Sequence, residues 1–462
     1  MLRLDVDPVS RQWQVLSLGA PANQQIAAGR DRDIQPTSTG LLGDGHVAVA
    51  TRYEGSDKAQ LRAFTRSGSA VSTLVTDPDH DIAALIHDPW SRTVIGATWE
   101  ADVHRQKFFD PDLAAARATL ETRFPHNYLR VGSWAKNRGQ LVVHVEKTGN
   151  AGAVYLFEPS SDRLTLLGEK YPALNDPAAT GQRLSTHYPA RDGRRIPAIL
   201  TLPDDGKAEP RPLVILLEGY PFNASRMLRA PWALQADMPN HYPRLRADPS
   251  FYWLPAYLAS RGFAVVEPAI RGTRGFGGRL EDAGDGQWAH GGVDDVEDAA
   301  HALVKAGIVD ATRICTLGLQ EAGQVALLAA ARPATPVTCS IAVNAPLDLP
   351  AHWDSLQRIA WKHDWYRREF EDRLGDDLRT SKSMPAVSPI HLAASIQGPV
   401  LIVGGNTTPW LSREQAQRMV KALDNTGKKV TFADLETGDH FLEEASTRTR
   451  FLVALDKFIT GL

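Results

Sequence analysis

The pattern of apolar and polar positions changes its character near residue 182. Before that point, short apolar and β-branched runs are separated by turn sequences such as GSDK, DPWS, KNRG and PSSD. Strands are predicted most clearly at 46–53, 59–66, 81–88, 93–100, 139–146 and 153–159. Strand–turn–strand units that recur without a strict repeat indicate propeller blades. One segment, 110–124, predicts a helix that a plain blade does not contain.

After residue 182, predicted strands alternate with predicted helices, which favours a parallel sheet covered on both faces. The strands are predicted at 195–203, 212–219, 263–270, 313–319, 337–346, 399–405 and 429–436. The helices are predicted at 294–306, 321–331, 412–425 and 446–459. The section 350–385 is rich in Trp and charge, and we interpret it as an insertion that forms a lid, a domain contact or a solvated face.

Composition and charge narrow the classes of protein to which this chain can belong. Its 462 residues are too many for a single hydrophobic core, so two or more domains are expected. The net charge of −3, without a long run of one sign, does not favour nucleic-acid or membrane binding. No apolar stretch approaches the length of a membrane span, and the first residues lack the pattern of a signal peptide. A cytoplasmic location is therefore expected.

The chain has two cysteines, Cys315 and Cys339, and each lies within a predicted buried strand. They are interpreted either as two small hydrophobic core residues or as a disulfide between neighbouring strands. Neither has His or Cys neighbours at the spacing of metal ligands, so no zinc site is predicted. No metal or other cofactor is expected.

The stretch ICTLGLQEAGQVALL, residues 314–328, passes directly from a strand pattern to a helix pattern. Gly318 stands before the turn and Gly323 just after it. A strand, a sharp turn and a helix with flanking glycines are the setting of a nucleophile elbow, whose tip is Ser in the motif G-x-S-x-G. In this chain the tip is Gln320.

Three further stretches carry a family resemblance. They read LASRGFAVVEPAIRGTRGFGG, AGDGQWAHGGVDDVEDAAHAL and SPIHLAASIQGPVLIVGG. In order and spacing they resemble the prolyl oligopeptidase family of serine peptidases, with the acylaminoacyl-peptidase-like branch closest and the lasso-peptide isopeptidases nearby. The resemblance covers 184–462 and implies an α/β-hydrolase domain at 182–462. It also implies a truncated all-β propeller-like domain of about four blades at 1–181.

The same resemblance implies a catalytic triad in the chain order Ser, Asp, His. The nucleophile position falls on Gln320, the acid position on Thr408 and the base on His440, in TGDHF. The stretch that forms the oxyanion hole in the family includes Gly219 and Tyr220 here, and it is also altered. Two of the three triad positions therefore depart from the family.

The chemistry of these substitutions predicts a loss of peptidase activity. A Gln amide is not a usable nucleophile, and Thr408 has no charge to stabilise a protonated His440. We therefore expect an inactive pseudo-peptidase that binds a peptide or a partner. The alternative is an active hydrolase of peptide, aminoacyl or ester substrates, in which His440 and Glu321 activate water. Glu321 is equally interpreted as a carboxylate favoured by a helix N-terminus, and His440 as a solvated loop residue.

The expected partners follow from the incomplete propeller. An arc of about four blades exposes strand edges, which proteins normally cover or pair. Either a second chain closes the arc, as a homo-oligomer or a hetero-complex, or the gene has lost its front half. A peptide-like small ligand is expected, whereas nucleic acid and membrane are not.

Overall fold

A computed structural model of the chain supplies the structure. It describes residues 2–7, 12–18, 23–30, 38–82, 84–101, 104–125, 127–147, 150–172, 180–218, 253–287, 289–333, 335–378, 383–405, 413–436, 442 and 444–461. These residues divide into two compact units. The first unit comprises the described residues up to Pro177 together with Arg274–Arg279, and the second comprises the others.

The described strands of the first unit form four antiparallel sheets of three or four strands, each built from consecutive strands. The first sheet contains β1 (Leu2–Asp7), β2 (Gln12–Ser17) and β3 (Gln24–Arg30). The second contains β4 (Thr39–Leu41), β5 (Val47–Thr51), β6 (Gln60–Phe64) and β7 (Ala70–Val75). The third contains β8 (Ala84–His87), β9 (Val94–Glu100) and β10 (His104–Phe108). The fourth contains β11 (Tyr128–Trp134), β12 (Leu141–Lys147), β13 (Asn150–Glu158) and β14 (Arg163–Glu169).

The helix predicted at 110–124 is present as α1 (Pro111–Arg123). The carboxylate of Asp110 caps it by accepting from the backbone N–H of Leu113. Its buried Leu113 and Leu120 belong to the same hydrophobic cluster as Leu141 of the fourth sheet. The helix is therefore part of the core of the first unit.

The second unit contains one eight-stranded sheet with helices connecting its strands. The strands are β15 (Gln182–Pro189), β16 (Arg195–Leu202), β17 (Arg211–Glu218), β18 (Ala264–Pro268), β19 (Val309–Leu319), β20 (Cys339–Val343), β21 (Val400–Gly405) and β22 (Val430–Glu436). The helices are α2 (Trp253–Ser260), α3 (Gly278–Asp282), α4 (Gly291–Lys305), α5 (Ala322–Ala330), α6 (Leu349–Leu378), α7 (Arg413–Asn425) and α8 (Ala445–Thr460). The first two residues of α3 belong to the first unit. The strand order is β15-β16-β18-β17-β19-β20-β21-β22.

The sheet departs from the prediction of an all-parallel arrangement. From β18 to β22 neighbouring strands are parallel, but β16 is antiparallel to both β15 and β18. A tight turn reverses the chain between β15 and β16, where Gly193 has φ +83 and donates to the carbonyl of Ala190. Glycine adopts this left-handed backbone without steric cost. The α/β sheet that follows an all-β region is confirmed as the fold.

The section predicted as an insertion, 350–385, is mostly one helix, the thirty-residue α6. Near its C-terminal end the buried Arg373 donates to the carbonyl of Glu281 and forms an ion pair with Asp285. These contacts fix one end of α6 within the second unit. A lid role for this section stays a prediction. None of the helices in the described ranges is both long enough and apolar enough to cross a membrane.

Candidate functional site

The elbow lies at the end of β19, near the middle of the sheet of the second unit. Inward-facing residues of this strand, among them Ile314 and Leu317, are fully buried between neighbouring elements. The strand ends at Leu319 and α5 begins at Ala322, so only two residues make the turn. The predicted transition from strand to helix is therefore present.

Gln320 occupies the tip of this turn with a left-handed backbone, at φ +57. Its N–H donates to the carbonyl of Val343 on the neighbouring strand at 2.7 Å, and its carbonyl accepts from the N–H of Gly323 at 2.9 Å. A left-handed backbone is strained for residues other than glycine, and such strain is concentrated at functional sites. The fold thus holds residue 320 in the conformation in which a nucleophile elbow presents its tip residue.

Both flanking glycines are required by close packing. A Cβ atom on Gly318 would overlap the backbone of Ala322, and one on Gly323 would lie 2.5 Å from the Cβ of Ala345. The first turn of α5 therefore approaches β19 and the chain after β20 more closely than any side chain at these positions would permit. This is the structural reason for the glycines of the motif.

Glu321 directly follows the tip and is the N-cap residue of α5. Its side chain is 5% exposed, so this carboxylate is among the buried acidic groups of the second unit. The position at a helix N-terminus favours a negative charge. The structure thus brings an amide at the tip and a buried carboxylate together in consecutive positions.

Asn344 was missed by the sequence reasoning. It follows β20, is 4% exposed and has a left-handed backbone with φ +47, and its N–H donates to the carbonyl of Val403 at 2.9 Å. Two neighbouring strands, β19 and β20, thus lead into left-handed residues that both carry side-chain amides. Asn is one of the few residue types that adopt this backbone readily, which is the one signal available in the sequence.

The other predicted site residues, His440, Thr408, Gly219 and Tyr220, lie outside the described residues. The strands that lead to them are described. Strand β17 ends at Glu218, which pairs in register with Leu319 of β19. Strands β21 and β22 end at Gly405 and Glu436. These four parallel strands point their carboxyl ends to the same edge of the sheet, which is where α/β sheets bind ligands.

The two cysteines form a disulfide in the structure, as one of the two interpretations predicts, and both lie in the core, as the other predicts. Cys315 of β19 and Cys339 of β20 are direct register partners, with Cα atoms 4.6 Å apart, and both are buried. The bond links the two strands that lead to Gln320 and Asn344. The cysteines are 24 positions apart in the sequence, and the chain-entropy account gives the bond about 3 kcal/mol of stabilisation.

Among the residues that the structure describes, no group of three or more His, Cys, Asp or Glu side chains is arranged to hold a metal ion. The described part of the site therefore consists of two amides, one buried carboxylate and backbone groups. This set can donate and accept hydrogen bonds to a ligand, but it contains no hydroxyl or thiol at the elbow tip.

Known proteins resemble this chain over much of its length. Residues 249–461 match the model of the prolyl oligopeptidase family. Over 448 residues the chain is 24% identical to dipeptidyl aminopeptidase BIII of Pseudoxanthomonas mexicana, a match that covers 92% of this chain and 60% of that protein. It is also 24% identical over 213 residues to the acylamino-acid-releasing enzyme of Rattus norvegicus, covering 46% of this chain and 29% of that enzyme. The chain thus spans 60% or less of these relatives.

Solved structures share the fold. A puromycin-hydrolyzing peptidase of Mycobacterium tuberculosis matches 98% of this chain and 68% of its own with a TM-score of 0.70 and 16% identity. Dipeptidyl peptidase 4 of Porphyromonas gingivalis matches 100% of this chain and 61% of its own with a TM-score of 0.68 and 16% identity. At such low identity these likenesses show the fold alone.

Proposed function

Residues 249–461 match the model of the prolyl oligopeptidase family, and on that premise we propose that the protein is a pseudo-peptidase. It binds a peptide or a partner protein at the carboxyl edge of its α/β sheet and forms no acyl-enzyme. The observation that carries this proposal is the identity of the elbow tip, where Gln320 stands in a left-handed backbone. The elbow is intact, but its tip lacks the nucleophile.

The physical argument rests on what an acyl-enzyme requires. The nucleophile must be an oxygen or sulfur whose proton a base can remove. The nitrogen lone pair of the Gln320 amide is delocalised into its carbonyl, so it cannot replace a hydroxyl. Removing a triad lowers turnover by about 10⁶, although binding and the oxyanion hole can retain roughly 10³ to 10⁴ over the reaction in water. Ligand binding is therefore the property of the site that best survives these substitutions.

The names of the relatives suggest the class of ligand. One is a dipeptidyl aminopeptidase and another an acylamino-acid-releasing enzyme. We therefore propose a short peptide, or a chain terminus of a partner protein, as the ligand. The amides of Gln320 and Asn344 supply both donors and acceptors, which suit a peptide backbone.

A second candidate function is hydrolysis without a covalent intermediate. The observation that favours it is the position of Glu321, a buried carboxylate directly after the tip, because a positioned carboxylate can act as a general base on water. In this mechanism Glu321 and His440 activate a water molecule on a peptide, aminoacyl or ester substrate. Its signature is activity that depends on Glu321 but not on Gln320.

Rebuilding the triad tests the proposal. We expect the parent protein and Thr408→Asp to show negligible hydrolysis of aminoacyl or dipeptidyl nitroanilides and no labelling by a serine-directed phosphonate. Gln320→Ser should show a trace, and Gln320→Ser with Thr408→Asp should exceed it by about 10² or more, which is part of the roughly 10⁴ lost when an orienting Asp is removed. Because triad residues act as a unit, the two substitutions should be strongly non-additive.

The matched controls are Gln320→Ala and Glu321→Gln. Turnover by the parent that survives Gln320→Ala but disappears in Glu321→Gln would replace the pseudo-peptidase with the water-activating hydrolase. Stoichiometric phosphonate labelling of the parent at some other Ser would contradict both mechanisms. Binding is measured separately, by calorimetry with a library of short peptides.

A further inference from the structure

The disulfide lies at the base of the candidate site. Cys315 stands five residues before Gln320, and Cys339 stands five residues before Asn344. Both of the later residues have a left-handed backbone. The bond is therefore the same distance along β19 and along β20 from the two amide residues of the site.

Four register pairs connect the disulfide to the elbow tip. In the first pair the hydroxyls of Thr316 and Ser340, both fully buried, are hydrogen-bonded at 3.0 Å. The last pair is Leu319 with Val343, whose carbonyl accepts from the N–H of Gln320 at 2.7 Å. The two strands thus form a continuous connection from the disulfide to the site.

Helix α5 packs closely against this connection. A Cβ atom on Gly323 would lie 3.3 Å from the Cβ of Ala342 in β20. The fully buried Gln324 donates through its side-chain amide to the carbonyl of Pro346, which follows the Asn344 turn. Because a close-packed interior transmits displacements, a shift of β20 against β19 would reach both the elbow and the Asn344 turn.

Reduction of the disulfide would produce such a shift. A dithiol attacks one sulfur as a thiolate and forms a mixed disulfide, which releases the other cysteine as a thiol. The second thiol of the reductant then frees the first cysteine and closes the reductant's own disulfide, so that two electrons and two protons pass to the protein. The two resulting thiols are no longer bonded and need more room. Cys315 and Cys339 are only 3% and 1% exposed, so this room must come from movement of the strands.

We propose that the Cys315–Cys339 pair is a redox-sensitive clamp on the elbow. The oxidised clamp joins the ends of β19 and β20 and keeps Gln320 and Asn344 in their left-handed backbones, whereas reduction loosens both turns. The reductant is a dithiol, and the oxidant that restores the bond is a disulfide such as oxidised glutathione. The proposal concerns the conformation of the site, so it does not depend on whether the site binds a peptide or hydrolyses one.

Counting thiols tests whether the clamp responds to a dithiol in the folded protein. Protein purified in air and then denatured should not react with a maleimide reagent. After treatment of the folded protein with dithiothreitol, both cysteines should react. A bond that dithiothreitol leaves intact while the protein stays folded would be a permanent structural link, which overturns the proposal, as would two free thiols in the air-purified protein.

Hydrogen exchange of the full chain, followed by mass spectrometry, tests whether reduction acts on the site. The amides to compare are those of 316–324 and 340–345, the site amides, with those of β16 in the same unit. This comparison is needed because the loss of a disulfide also lowers the stability of the whole unit. On reduction the site amides are expected to accelerate about tenfold more than the amides of β16, and oxidised glutathione should reverse the change.

Two variants serve as controls. Leu200→Ala truncates a buried residue of β16 and leaves the bond intact, so its site amides should accelerate no more than those of β16. Cys315→Ala with Cys339→Ala should exchange equally with and without dithiothreitol. Equal acceleration of the site amides and β16 on reduction, or a response to dithiothreitol that persists in the double variant, would each overturn the proposal.

Discussion

The two units of this protein differ in the interactions that stabilise each of them internally. The second unit has one hydrogen-bonded sheet whose inner strands contain long buried runs, and every residue of β21 is buried. The first unit has several small sheets that are not hydrogen-bonded into one, and side chains in its loops link them. The comparison teaches that close backbone packing dominates around the elbow, whereas in the first unit hydrophobic clusters and polar side chains join sheets that share no ladder of hydrogen bonds.

Two buried carboxylates illustrate the polar contacts that link separate segments of the first unit. Asp88, which follows β8, accepts hydrogen bonds from the indole of Trp134 at 3.0 Å and from Arg138 at 3.2 Å, both next to the β11–β12 turn. Asp81 pairs with Arg52 at 2.9 Å and accepts from the backbone N–H of Gly277 at 3.0 Å. This second contact includes the segment Arg274–Arg279, which is distant in sequence but belongs to the same unit.

We expect the largest difference in the free energy of unfolding when one glycine is substituted in each unit. In Gly318→Ala the new methyl group meets the backbone of Ala322, which cannot move without displacing α5. In Gly277→Ala it lies 2.5 Å from the ends of the Asp57 and Lys58 side chains, which can rotate away, although φ +93 adds strain. We expect Gly318→Ala to cost about 3 kcal/mol or more and Gly277→Ala about 1 to 2 kcal/mol.

Urea unfolding followed by tryptophan fluorescence would measure both variants. If Gly318→Ala does not accumulate as folded protein, that outcome agrees with the larger cost. Equal midpoints for the two variants would contradict the distinction between a rigid elbow and an adaptable loop segment.

We expect a smaller loss of stability when the hydrogen bonds of a buried carboxylate in the first unit are removed. Burial alone would raise the pKa of Asp88, but hydrogen bonds from Trp134, Arg138 and Ser91 hold it well below its ordinary value. Asp88→Asn should therefore cost about 2 kcal/mol at pH 7, because Arg138 keeps only Asp110 as its carboxylate partner. Asp162→Asn, which removes an exposed partner of Arg123, is the matched control and should cost less than about 0.5 kcal/mol.

The sign of the pH dependence follows from the lowered pKa of Asp88. A carboxyl group whose pKa is lower in the folded state stabilises the fold above its unfolded pKa of about 3.9 and loses that stabilisation as the pH falls further. The difference in stability between the parent and Asp88→Asn should therefore shrink below about pH 4. A difference that is constant from pH 7 to pH 3 would show that the charge of Asp88 is not the cause.

The same contrast explains which elements could be predicted from the sequence. The runs at 313–319 and 399–405 are mostly apolar, and they correspond to β19, which begins four residues earlier than predicted, and to β21. Strands β7, β14 and β15 were not predicted, because most of their residues are exposed and their apolar runs are short. An outer strand that buries little of its surface gives only a weak hydrophobic signal.

At the candidate site, the sequence predicted only the turn for which a motif specifies the backbone conformation. The glycines around the elbow indicated the turn, and Gln320 was placed at its tip. The predicted strand 337–346 ends earlier than expected, because Asn344 turns into a left-handed backbone after Val343. The Asn residue itself is the only local signal of that turn, which also depends on a hydrogen bond to β21, a strand far along the chain.

The smallest expected difference in stability comes from the backbone strain at the elbow tip. Gln320→Gly removes the Cβ that makes φ +57 unfavourable, a gain of about 1 to 2 kcal/mol, but it also gives the unfolded chain more freedom, a loss of about 0.5 to 1 kcal/mol. Gln320→Ala keeps the Cβ and the strain while removing the same amide. The glycine variant should therefore be more stable than the alanine variant by about 1 kcal/mol, measured as a difference in urea midpoints. If alanine proves as stable as glycine, residue 320 does not hold a left-handed backbone in solution. The inference that the elbow keeps the geometry of an active site would then lose its structural support.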